Sequence, residues 1–179
     1  MIYESSNWKL PLVRAARWLE KTRVTDVTET RVLARAEREV FIGFYAVRKL
    51  LETFNLSDST RSLAWKLTCY RPKPGRIVDH LNRGDIFKNY ELGNKLSETR
   101  DLGFVCNQVI HSFVFELALG ESDALDGVFL TSDQKRANRL YYIPMSLIID
   151  VFRMVGLDYP SELHLARDLK TRQWKGAAS

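Results

Sequence analysis

The feature that most constrains this chain is an apolar stripe in its second quarter. Leu33, Ala36, Val40, Phe44, Val47, Leu51 and Phe54 recur every three or four residues, a period that places them on one face of an α-helix. Asp26 with Glu29 three residues on reads as an N-cap and its helper carboxylate. The spacing predicts one helix from Asp26 to Phe54, about 28 residues and roughly 40 Å long. Phe41, Ile42, Tyr45 and Leu50 widen the stripe, so the helix is expected to be packed on more than one side and to serve as the spine of the fold.

The remaining segments are shorter. Pro11 suits the first turn of a helix, where its missing N–H costs nothing, and Leu12, Ala16 and Leu19 continue that helix to about Lys21. Leu63, Trp65, Leu67 and Cys69 alternate with Ala64, Lys66, Thr68 and Tyr70, the period of a strand. Pro72-Lys73-Pro74-Gly75 ends it. Residues 76–96 read as irregular, with one helical turn near Asp85 to Tyr90. Ser97 or Thr99 is expected to cap a helix running to His111. Phe113 to Leu119, Val128 to Ser132 and Arg139 to Ile143 read as an antiparallel meander, with turns at Gly120–Asp123 and Asp133–Asn138. Pro144 opens a last helix that Gly156 closes. The expectation is a single domain over residues 1–179, mainly α within the α+β class. It would be a helical bundle built on one long central helix, with a small antiparallel β-meander near residues 113–143.

Composition removes several classes. A chain of 179 residues with 45% hydrophobic and 27% charged residues is ordinary for a globular domain that needs no staples. No window approaches the ~20 apolar residues that span a bilayer, and the first residues lack the basic and apolar regions of a secretory signal. With only Cys69 and Cys106, a pair of buried thiols in a reducing, cytoplasmic setting is expected. Cys69, Cys106, His80, His111 and His164 lack zinc-site spacing, and no phosphate-loop, esterase or metalloprotease motif occurs. No metal and no cofactor are therefore implied.

Charge is segregated. The net value is +5, and residues 61–83 carry Arg61, Lys66, Arg71, Lys73, Arg76 and Arg83 against Asp79 alone. Such a segment attracts phosphate, although a solvated face is the commoner explanation of a basic run. Trp65 and Tyr70 interleave with these cations; Trp65 is in phase with Leu63 and Leu67 and is expected to pack inward.

On a helix over 97–112, Arg100, Asn107 and His111 would form one polar stripe, with Phe104 beside it and Val105, Val109 and Ile110 turned to the core. A cation, an amide and an imidazole in line could hold and deprotonate a phosphodiester substrate. The bland alternative is that Asn107 and His111 satisfy each other at the end of the helix.

Cys106-Asn107-Gln108-Val109-Ile110-His111-Ser112, preceded by Arg100-Asp101-Leu102, resembles the signature helix of the HEPN family (higher eukaryote and prokaryote nucleotide-binding domains). The long helix at 26–54, with Glu37 and Glu39, also fits. The resemblance implies a bundle of about four helices from defence or toxin–antitoxin systems, whose active members are metal-independent ribonucleases carrying Arg, a polar residue and then His. Asn107 and His111 match as polar residue and base. Cys106 stands where the family's Arg would be, so Arg100 is the substitute that would have to hold the phosphate.

Three readings follow. The first is a HEPN-like domain that binds RNA or a partner protein with weak or no catalysis, using Arg61, Lys66, Arg71, Lys73 and Arg76 as nucleic-acid contacts. The second is an active ribonuclease using His111 with Asn107 and Arg100, Arg100 coming from the same chain or from the second copy in a homodimer. The third is a non-enzymatic structural or interaction module. None involves a membrane.

Overall fold

The computed structural model describes residues 4–24, 29–167 and 174–178. Among these, helix α1 spans Ser6–Lys21, α2 Glu29–Leu51, α3 Asp58–Arg61, α4 Ile86–Asn89, α5 Leu102–Ile110 and α6 Met145–Leu157. The strands are β1 Ala64–Tyr70, β2 Leu96–Asp101, β3 Ser112–Leu119, β4 Leu125–Ser132, β5 Leu140–Pro144, β6 Leu163–Arg167 and β7 Trp174–Ala178.

The architecture is α+β, and the helical bundle expected from the sequence is not formed. β1 to β5 make a five-stranded sheet in the order β2-β1-β5-β4-β3, antiparallel at every pairing. The expected meander is its β3, β4 and β5. The strand read at 63–69 joins it across β5, and β2 adds an edge. α2 is described over 23 residues and ends at Leu51, short of the expected Phe54; Asp26, its expected cap, lies outside the described residues. Instead of organising a bundle, α2 is one of four helices laid on a single face of the sheet.

That face carries the main core. An inner row crosses the sheet through Leu96, Cys69, Tyr141, Leu130 and Phe115, each paired to the next. Above it Val40, Phe44, Val47 and Leu50 of α2, Leu12, Ala16 and Leu19 of α1 and Ile148, Phe152 and Val155 of α6 are fully buried. α1 packs along α6 and α2 along α5. The expected stripe on α2 is therefore real, but it faces a sheet, and Ile42 and Tyr45, expected to widen it, are exposed. α2 crosses α6 at Gly43, where a Cβ would lie 2.1 Å from the Phe152 ring, so only glycine lets the two helices approach this closely.

Two local expectations change. Pro11 sits inside α1, which begins at Ser6. Ser97 and Thr99 cap no helix, because 96–101 is strand β2; Asp101 caps α5, its carboxylate accepting from the Phe104 N–H at 2.7 Å. The turn expected near Asp85 to Tyr90 is α4. Pro144 precedes α6 as expected.

Among the described residues the second face of the sheet is covered only in part, by the excursion from Arg71 to Lys95. Val78, Ile86 and Tyr90 pack there on Tyr70, Val114 and Leu140. The excursion is fastened by Arg136, whose guanidinium donates to the Val78 carbonyl at 2.7 Å and stacks on Phe113. The Tyr90 hydroxyl returns the contact by donating to the Arg136 carbonyl. A separate hairpin, β6 with β7, follows α6; it was not expected from the sequence. No helix among the described residues is long and apolar enough to cross a membrane.

Candidate functional site

α5 carries the residues singled out above, but only two of the three. Leu102, Val105, Cys106, Gln108 and Val109 are buried, whereas Asn107 and His111 are exposed on the opposite flank. His111 is the C-cap, its N–H bonding the Asn107 carbonyl at 3.1 Å. The expected adjacency of Asn107 and His111 thus holds. Cys106, at the position of the resembled family's Arg, faces the core, so a cation placed there would point away from this flank.

Arg100 does not share the helix. It lies on β2 opposite Trp65, and its guanidinium is engaged. Nη2 donates to Glu98 Oε2 at 2.5 Å, and the guanidinium lies 4.5 Å from the Phe104 ring centroid. Glu98 also accepts from Arg139 Nε at 2.7 Å and from the Tyr141 hydroxyl at 2.9 Å. Burial would raise its carboxyl, but donation by Arg139, Arg100 and Tyr141 outweighs this and holds it at about 2. Burial and the Glu98 contact together push the Tyr141 hydroxyl up to about 12. This is a satisfied charge network within the fold.

Asn107 and His111 line an open cleft of about 550 Å³ between α5 and the β4–β5 turn, with Phe104, Ser132, Gln134, Lys135 and Asp133, whose carboxylate is paired with Arg136 at 3.1 Å. One wall is fixed by the buried Gln108, whose Oε1 accepts from the Ser132 N–H at 3.0 Å. The turn opposite is closed by backbone bonds from Lys135 and Arg136 to the Ser132 carbonyl. Arg100 touches the cleft only through Phe104. Lys135 and Gln134, unremarked in the sequence, therefore stand closer to His111's surroundings than Arg100 does. Only the length of the β4–β5 turn hinted that it would reach α5.

No family model, curated protein or solved structure matches this chain.

The basic segment divides when placed on the fold. Arg61 is structural: its guanidinium donates to the Thr53 carbonyl at 2.6 Å and to the Leu51 carbonyl at 3.2 Å, closing the end of α2. Lys73 donates to the Phe87 carbonyl within the excursion. Lys66, Arg71 and Arg76 are exposed. Trp65 packs against the main core as expected, whereas Tyr70 turns to the second face.

That second face holds a groove of about 550 Å³. One row of the sheet runs through it from Ser97 to Thr68, Tyr142, Phe129 and Glu116, each residue paired with the next. The Tyr142 and Phe129 rings are 4.9 Å apart, and Tyr70 lies 6.0 Å beyond Phe129. Tyr142 lies over Gly127, where a Cβ would come within 2.7 Å of its ring, and its hydroxyl is bonded to the Asp126 carboxylate. The same Asp126 contact and burial push the Tyr142 hydroxyl well above its ordinary range, burial contributing most.

Proposed function

We propose that the protein binds single-stranded RNA at the α5 cleft without rapid strand cleavage. The observation that carries this reading is the pair Asn107 and His111, exposed side by side in an open polar cleft with Lys135 on its rim. An amide and an imidazole offer hydrogen bonds to ribose and base edges, and Lys135 offers a charge for phosphate. The likeness of residues 100–112 to the HEPN signature helix supports the same ligand class. It supports it through that helix only, since the bundle it implies is absent from the described residues.

Weak catalysis follows from where the cations sit. Cleavage through the 2′-OH needs a base and a preorganised cation on the scissile phosphate. Arg100, the expected provider, is held by Glu98. The alternative of an active ribonuclease rests on the exposure of His111 and on Lys135 replacing Arg100.

The test is fluorescence anisotropy with a labelled single-stranded RNA in EDTA. Affinity should fall about 2.5-fold between 50 and 200 mM salt if Lys135 makes the one phosphate contact of the cleft. His111→Ala and Lys135→Ala should each weaken binding several-fold. Binding that ignores both substitutions overturns the reading. Cleavage of the probe that disappears in His111→Ala replaces it with the ribonuclease alternative.

A further inference from the structure

The groove on the second face of the sheet is not used by the α5 cleft and has a different character. Its floor is aromatic and fixed. Tyr142 is laid across Gly127 and tied through its hydroxyl to Asp126, and Phe129 abuts it. A ring held this way presents a flat surface with little rotamer freedom left to lose on binding. Phe87 of α4 adds an apolar wall, with 74% of its surface open to solvent. The ends of the groove carry opposite charge. Lys95 stands at the start of β2, and Glu116 lies on β3, at the other edge of the sheet. Neither side chain has an ion-pair partner among the described residues.

The dimensions narrow the ligand. β2 and β3 are four strand spacings apart, about 19 Å from backbone to backbone. Turned toward each other, the Lys95 and Glu116 side chains would leave roughly half of that span between their charged ends. A ligand for this groove is therefore flat at its centre, carries hydrogen-bond donors on one edge and is anionic at the far end. A cavity of 550 Å³ has the volume of a small-molecule site.

We propose that this groove binds a single nucleoside monophosphate, its base stacked on the Tyr142 ring with Phe129, tilted 46° to that ring, against its edge, its donor edge on Glu116 and its phosphate on Lys95. A base with adjacent imino and amino donors matches a carboxylate best, so guanine is preferred to uracil. The site is independent of the α5 cleft, and its success or failure leaves the RNA reading untouched.

Isothermal titration of the 179-residue chain with GMP, guanosine, UMP and inorganic phosphate tests this. GMP should bind at one site per chain, about tenfold more tightly than guanosine and more tightly than UMP; inorganic phosphate alone should not bind measurably. Lys95→Ala should abolish the preference for GMP over guanosine. Glu116→Gln should abolish the preference for GMP over UMP, and His111→Ala should change neither. Both groove positions are exposed, and thermal unfolding of each variant confirms that it remains folded. The proposal is overturned if GMP gives no saturable heat at millimolar concentration, or if both groove variants bind it like the parent. Binding of a short single-stranded oligonucleotide at these residues without binding of GMP also overturns it.

Discussion

The Arg100 guanidinium lies 4.5 Å from the centre of the Phe104 ring, at the rim of the cleft that holds Asn107 and His111, yet its hydrogen bonds go to Glu98 on the same strand and to the Tyr141 hydroxyl. This residue therefore separates two readings of the α5 region. If the network is structural, Arg100→Ala removes one of three donors to Glu98 and should cost about 1 kcal/mol, which lowers Tm by roughly 2–4 °C. RNA affinity should stay within about twofold of the parent. An affinity loss as large as that of His111→Ala would return Arg100 to the binding site.

Glu98 makes the fold sensitive to acid. Its carboxyl titrates at about 2 when folded, against 4.5 for the free group. A depressed folded value contributes stability that is complete above pH 4.5 and is lost as pH falls toward 2. With allowance for its partial exposure, the contribution is about 2 kcal/mol. Glu98→Gln should therefore be less stable than the parent at pH 7, and the two should converge by pH 2. Urea titrations followed by circular dichroism at several pH values measure this, and a constant gap down to pH 2 would show that Glu98 is not the responsible group.

Both thiols should be inert in the folded protein. Cys69 and Cys106 are free and buried; burial pushes the Cys106 thiol up to about 12 and raises Cys69 as well. Thiolate is the reactive species. A chromogenic disulfide reagent should thus titrate neither group at pH 8 until denaturant is added, and then both.

Gly43 should not tolerate a methyl group. Phe152 is fully buried and packed 5.2 Å from Phe44, so its ring has no room to yield. Gly43→Ala should destabilise by about 2–3 kcal/mol, a fall in Tm of roughly 5–10 °C in differential scanning calorimetry. A change below 1 °C would mean that α2 and α6 can separate at no cost.

The helices α1, α2 and α6 and the three strands of the meander were legible because each has an apolar face of clear period. β2 was not, for a physical reason. Its inward positions are Leu96, Glu98 and Arg100, so two of three core-side residues are charged and the apolar alternation disappears. Arg139 and Tyr141, which make those charges tolerable, come from some 40 residues later, and local pattern cannot reveal them. Without that alternation the polar residues 97–101 continue the helical pattern of α5, and Arg100 reads as helical although it lies on β2. Asn107 and His111 survived because they lie four apart within the true helix. The hairpin of β6 and β7 escaped notice because the described side chains of β6 are all exposed, leaving no buried face to impose a period. The aromatic floor was equally invisible, since it depends on Gly127 and Tyr142 meeting across two strands.

Packing near the chain's first helix imposes an order on assembly. Lys9 of α1 is buried, and its ammonium donates to the Asn55 carbonyl at 2.7 Å and to the Asp158 carbonyl while lying over Tyr159. Burial pushes its pKa down, the nearby Asp158 opposing this. Until residue 158 has been synthesised, those acceptors are incomplete and docking α1 would strand a charge in an apolar setting. α1 and α6 must therefore consolidate together, which leaves the earlier helices of a nascent chain without their final packing until residue 158 has been added.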